Sequence, residues 1–160
     1  MISTEPLRDI VHHAQATWPA ECCGLLLEDA SGALRFQPIR NVAGTAEGAP
    51  TSARSQRDGY VMDPLALLQA LEATEQAGGR LWAIVHSHPD VGAYFSSEDK
   101  TMALGGGDAP LWPGVRYLVV SVRAGRVDEA RIYTWDDASR EFLEEKPQML
   151  RDFPDSFDNR

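Results

Sequence analysis

The chain has 160 residues, 43% hydrophobic and 24% charged, with a formal net charge of −9 at pH 7. That composition fits an ordinary soluble globular protein able to bury one core, and the negative balance argues against nucleic acid or an anionic membrane as the main partner. No stretch approaches the roughly 18 apolar residues of a membrane span, the N-terminus MISTEPLRDIVHH has no signal-peptide pattern, and the adjacent Cys22 and Cys23 suit no disulfide framework, so the expected setting is the cytoplasm, with reduced thiols.

Leu7, Ile10, Val11, Ala14 and Trp18 recur at helical spacing. Ser3 or Thr4 stands where a cap belongs, Pro6 suits the first turn, and Pro19 ends the helix. His12 and His13 flank the apolar stripe and read as solvent-facing. Gly24-Leu25-Leu26-Leu27 is a short apolar run closed by the turn signal Glu28-Asp29-Ala30-Ser31-Gly32. Leu34 and Phe36 alternate with Arg35 and Gln37, so this strand and the preceding one form a hairpin. The apolar parity shifts to Ile39 after Pro38, which predicts a bulge or an edge position.

Residues 41–58 are rich in small and polar residues and read as a long loop, followed by a brief strand at Tyr60 and Val61. Asp63 as N-cap and Pro64 at the first helical position start a second helix. Met62 and Leu67 stand where a hydrophobic staple places them. Leu67, Leu68, Leu71 and Thr74 supply its buried face, and Gly78-Gly79 closes it.

Leu81 to Val85 is a continuous apolar run, hence a central strand covered on both faces. A loop from Pro89 to Phe95 leads to a short helix over 97–104, ended by Gly105 to Gly107. A second loop over 108–114 precedes a buried strand over 115–122, the turn Ala124-Gly125 and an outer strand over 127–135. Phe142 begins a last short strand. The order predicts one α/β domain over residues 1–145, a sheet with helices packed on it, then a charged tail over 146–160.

The chemistry concentrates after the central run, at His86-Ser87-His88-Pro89. Alternate residues of a strand share a face, which puts the two imidazoles on one side with Cα atoms roughly 6.6 Å apart. At that separation both can tilt onto one zinc ion. Pro89 cannot donate to a sheet ladder, so the strand is expected to stop where the histidines appear. Asp99 offers a carboxylate. Two nitrogens and one oxygen leave the fourth tetrahedral position open to solvent, as in a catalytic zinc site. Glu21, just ahead of a core strand, is the candidate general base, and Ser96 the candidate oxyanion donor.

Each feature also has a plainer reading. Ser96-x-x-Asp99 taken alone is a helix capping box, and a metal-bound Asp99 is not expected to complete that cap. His-x-His at a strand end is commonly two ordinary histidines, and Glu21 alone is a surface acid. Ser87 points away from the histidines and reads as structural. Cys22 and Cys23 read as buried small hydrophobes. Cys-x-x-Cys and His-Glu-x-x-His are absent, and no Lys-Ser/Thr follows the glycines at 105–107. The functional reading rests on the combination.

Together, Glu21, His86-Ser87-His88-Pro89 and Ser96-Ser97-Glu98-Asp99 resemble the motif of the JAMM (MPN+) metalloproteases: Glu, then His-x-His-Pro, then Ser-x-x-Asp. The likeness extends to Pro19-Ala20-Glu21-Cys22-Cys23-Gly24, to Tyr60-x-Met62-Asp63-Pro64 and to Ala93-Tyr94, and covers roughly residues 5–135. Where that family usually carries proline before the serine, this chain has Phe95. The resemblance implies a cytidine-deaminase-like fold, a mixed sheet flanked by helices, and one zinc held by His86, His88 and Asp99. It implies Glu21 as general acid/base and Ser96 as oxyanion stabiliser. The activity implied is cleavage after the C-terminal Gly-Gly of a ubiquitin-like protein, here of the sulfur-carrier kind trimmed by small bacterial members. The alternatives are a non-catalytic scaffold of the same fold and a metallohydrolase of small amides.

Overall fold

The computed structural model describes residues 2–46 and 55–145. The expected tail over 146–160 and the centre of the expected 41–58 loop lie outside the described residues. The element order is α1 (Thr4–Thr17), β1 (Cys23–Glu28), β2 (Leu34–Ile39), α2 (Pro64–Gln76), β3 (Arg80–Pro89), α3 (Ser97–Leu104), β4 (Arg116–Arg123), β5 (Arg126–Asp136) and β6 (Glu141–Glu144). The strands form one sheet in the order β2-β1-β3-β4-β5-β6. Only β3 and β4 run parallel, and the connection between them carries α3, as a parallel crossover requires. The other neighbours are antiparallel. The mixed α/β architecture expected from the sequence is the one observed.

Two apolar layers cover the sheet. On one face α1 lays Leu7, Ile10, Val11 and Ala14 against Leu26, Val85, Leu118 and Val120. On the other, Leu67 and Leu71 of α2 and Ala103 and Leu104 of α3 meet Leu25, Leu27, Ile84 and Val119. A strand between two such layers needs no polar alternation, which is why Leu81–Val85 reads as an unbroken apolar run. Asp63 caps α2, accepting hydrogen bonds from the Leu65 and Ala66 amides, with Pro64 first in the helix.

Of the two explanations expected for the parity shift at Ile39, the edge position holds: β2 is an edge strand paired with β1 without a bulge, with Phe36 packed on the α1 side and Ile39 on the other. Other expectations are corrected. Leu68 is 52% exposed on α2, while Ala66 and Ala70 pack inward beside Leu67 and Leu71. Tyr60 and Val61 form no strand; the local pairing is a single bridge between Asn41 and Met62. His13 is half-buried, its ring 5.7 Å from that of Phe36, rather than solvent-facing. No helix among the described residues is long and apolar enough to cross a membrane.

Candidate metal centre

β3 does not stop at the histidines. It runs through Pro89, paired to β4 by His86↔Val119, His88↔Ser121 and Pro89↔Val122. The ladder explains why proline is tolerated. Ser87 N–H donates to Cys22 O on the β1 side, and Asp90 N–H to Val122 O on the β4 side. The amide that Pro89 lacks would therefore have faced β1, which begins only at Cys23, so no ladder bond is lost.

The register also places Glu21. Cys23 lies opposite His86, and residues opposite one another in an antiparallel pair share a face. Glu21, two residues before Cys23, thus projects to the side of His86 and His88. Ser87 points the other way, and its Oγ accepts the Cys22 N–H at 2.8 Å.

Donor atoms of three residues converge. His86 Nε2 and His88 Nε2 are 3.2 Å apart. Asp99 Oδ1 lies 3.1 Å from His86 Nε2, and Asp99 Oδ2 lies 3.3 Å from His88 Nε2. Ligands at 2.0–2.1 Å around a tetrahedral zinc stand about 3.3 Å from each other; the two imidazole nitrogens have that spacing, and one ligand atom from each of the three residues lies within 4.8 Å of the others. All three residues are buried. His88 Nδ1 is 3.0 Å from Gly92 O; a carbonyl only accepts, so Nδ1 carries a proton and Nε2 is the nitrogen whose lone pair would be available to a metal. His86 Nδ1 has no hydrogen-bond partner among the described residues. Its ring is held by Tyr60, stacked at 4.7 Å with 24° between planes.

The capping box and the cluster of ligand candidates occur together. Asp99 N–H donates to Ser96 Oγ at 3.0 Å and Ser96 N–H to Asp99 Oδ2 at 2.8 Å. Oδ1 has no part in the cap and stays directed at His86. Burial alone would push the Asp99 carboxyl up. The charge of His86, hydrogen bonds from both imidazoles and the Ser96 amide outweigh it and hold the group well below the usual carboxylate range. Glu21 behaves oppositely: burial pushes it up to about 7 against the lowering influence of His86 and His88. Two carboxyls within electrostatic reach of each other are thereby separated, one fixed as an anion and one poised near neutrality.

Burial pushes the Cys22 thiol up to about 11 and the Cys23 thiol further. Both are free and buried, and neither has the thiolate character of a nucleophile.

A model of the prokaryotic homologs of the JAB domain matches residues 3–136. The chain belongs to that family. The desampylase of Haloferax volcanii is 33% identical over 105 residues, covering 64% of this chain and 63% of that protein. A probable TtuB-protein conjugate cleaving protease of Thermus thermophilus is 42% identical over 84 residues, covering 48% of this chain and 57% of that protein. The matched stretch is thus less than two thirds of either curated relative. Among solved structures, a protein of Desulfitobacterium hafniense is similar with a TM-score of 0.65 at 22% identity, over 91% of this chain and 88% of its own. A Salinibacter ruber protein has a TM-score of 0.56 at 26% identity, over 91% and 89%.

In this JAB-family chain the structure brings His86, His88 and Asp99 together, holds Asp99 by the Ser96 cap and leaves Glu21 within electrostatic reach of all three. Three contributors carry little or no signal in the sequence. Tyr60 was visible only as part of a motif likeness. Gly92 acts through a backbone carbonyl, which no side-chain pattern reveals. Glu129 accepts the Ala93 N–H at 3.0 Å from a strand 36 positions away, with no local signal.

Proposed function

We propose that this chain is a zinc-dependent peptidase that cleaves after the C-terminal Gly-Gly of a ubiquitin-like sulfur-carrier protein or its conjugates. His86, His88 and Asp99 are the ligands, Glu21 the general acid/base and Ser96 the oxyanion donor. The observation that carries the reading is the convergence of two imidazole nitrogens, 3.2 Å apart, on one buried carboxylate, His86 Nε2 3.1 Å from its Oδ1 and His88 Nε2 3.3 Å from its Oδ2. The substrate class is supported by the family and by the relatives' names, one of which is a protease cleaving TtuB-protein conjugates. A cytoplasmic setting is in keeping with the two free, buried thiols.

Zinc, when bound, supplies a Lewis acid that acidifies water and polarises a carbonyl. The chain's own residues do the rest. Glu21, near neutrality through burial, takes a proton from the attacking water and returns it to the leaving amine nitrogen. Ser96 Oγ already accepts the Asp99 N–H, which leaves its hydroxyl hydrogen to donate to the developing oxyanion. The Gly92 carbonyl holds His88 in the tautomer that leaves Nε2 free.

The test is mass spectrometry of sulfur-carrier fusions incubated with the protein, with and without chelator. Cleavage after Gly-Gly, abolished by chelator and restored by zinc, is the expected result. Glu21→Gln should retain zinc and lose turnover. Zinc retention with no cleavage of any ubiquitin-like fusion would turn the reading towards a scaffold. Cleavage of small amides alone would turn it towards the small-substrate hydrolase.

A further inference from the structure

The geometry points to Glu129 as a positioning residue for the metal centre, acting on His88 through the single peptide unit that joins Gly92 to Ala93. The inference rests on the reading of His88 as a ligand.

That peptide is gripped at both ends. Its oxygen, Gly92 O, accepts from His88 Nδ1 at 3.0 Å. Its nitrogen, Ala93 N, donates to Glu129 Oε2 at 3.0 Å. The two groups belong to one rigid plane, so the carboxylate that fixes the N–H also fixes the direction of the carbonyl, and with it the His88 ring. An anion on the N–H end also polarises the peptide and makes its oxygen a stronger acceptor. Stronger acceptance at Nδ1 makes Nε2 a better donor to a cation. The arrangement is a carboxylate–peptide–imidazole relay, in which the backbone stands between acid and ring.

The rest of the loop is held to match. Ser121 Oγ donates to Val91 O at 2.7 Å, and Tyr133 Oη to Ala93 O at 2.9 Å. Arg131 Nε donates to Glu129 Oε1 at 2.7 Å, which leaves Oε2 for the loop. The Glu129 carboxyl lies below its ordinary range, held there first by the Ala93 amide and then, against burial, by Arg131, so it is anionic at neutral pH. A surface ion pair with Arg131 alone would contribute little. The bond to Ala93 ties this acid to the pocket.

The experiment uses full-length Glu129→Ala, Glu129→Gln and Arg131→Ala. Three quantities are read: zinc affinity by chelator competition, Tm of chelator-treated protein, and the fraction of His88 protonated at Nδ1, by nitrogen NMR of the imidazoles. Glu129→Ala is expected to weaken zinc binding by roughly 10–100-fold and to lower the Nδ1–H fraction. Glu129→Gln, which keeps an acceptor for the Ala93 N–H without the charge, recovers most of the tautomer and part of the affinity. Arg131→Ala changes affinity less than about threefold, because the acceptor remains. The assignment is overturned if Glu129→Ala binds zinc as tightly as the parent. It also falls if affinity merely follows Tm across all three variants with the His88 tautomer unchanged. A parent protein that fails to bind zinc at all brings down the metal reading itself, a result distinct from either of these.

Discussion

Ser96 and Asp99 exchange two hydrogen bonds across the first turn of α3, Asp99 N–H to Ser96 Oγ at 3.0 Å and Ser96 N–H to Asp99 Oδ2 at 2.8 Å. The cap is therefore also the device that aims Oδ1 at His86. Cap and oxyanion donor are separable, because glycine at an N-cap is only a few tenths of a kcal/mol worse than serine. Ser96→Gly is expected to leave Tm and zinc content nearly unchanged while kcat falls by about 10²–10³. Steady-state kinetics beside thermal unfolding read this directly. A Ser96→Gly enzyme with parental kcat would leave Ser96 as a cap alone.

Glu21 gives a pH signature in chelator-treated protein. Burial raises its carboxyl from the usual range to about 7 in the folded chain, so the folded state binds this proton more tightly than the unfolded state does. Its ionisation therefore opposes folding, and the penalty grows as pH rises from about 4.5 to 7 and is constant above. Glu21→Gln removes it. The variant should match the parent near pH 4 and exceed its stability by on the order of 3 kcal/mol at pH 8, at 1.36 kcal/mol per unit. Urea unfolding at both pH values measures the gap. A gap that is the same at both, or that closes as pH rises, would mean Glu21 is not buried as described.

What was legible in the sequence was what local chemistry specifies. Asp63-Pro64 announces a helix start by side chain and φ alone, and the two-residue spacing of His86 and His88 needs only a strand to align them. The capping pattern of Ser96 and Asp99 is likewise visible, but not that the same carboxylate also meets both imidazoles, since that depends on where tertiary packing places α3 relative to the end of β3. The end of β3 was misjudged because Pro89 breaks a ladder only where a partner waits for its amide, and β1 starts too late to do so. Periodicity points Leu68 inward, yet α2 meets the sheet with the small Ala66 and Ala70 on its inner face. Gly92 and Glu129 were invisible: one contributes backbone and the other acts over 36 positions.

Tyr60 packs its ring on His86, the ligand candidate whose Nδ1 has no hydrogen-bond partner among the described residues. Stacking therefore orients the His86 ring, as the Gly92 carbonyl orients that of His88. Tyr60→Phe keeps the ring and should hold zinc affinity within about threefold. Tyr60→Ala opens a cavity beside a buried imidazole, with about 3 kcal/mol of stability lost and zinc binding weakened about tenfold. Chelator competition and urea unfolding on both variants test this. Equal zinc affinity in Tyr60→Ala and parent would show that the His86 ring is oriented by something else.

Phe95 stands where the JAMM pattern has proline, directly before Ser96. Proline would fix the backbone there through φ, whereas Phe95 fixes it by packing. Its ring centroid lies 5.1 Å from Tyr117, 5.2 Å from Tyr133 and 4.9 Å from Phe142, and the residue is buried. Because Tyr133 also donates to Ala93 O, the same aromatic cluster holds the loop carrying Gly92 and the helix start carrying Asp99. Phe95→Ala should lose about 3–5 kcal/mol, or roughly 10 °C in Tm for a chain of this size. Zinc affinity should fall with it, as Ser96 and Asp99 lose their anchor. Phe95→Leu, which refills part of the volume, should restore much of both. The decisive comparison is zinc affinity well below the Tm of each variant. A Phe95→Ala protein that is folded at the assay temperature and binds zinc like the parent would show that the cap alone, without the aromatic cluster, suffices to place Asp99.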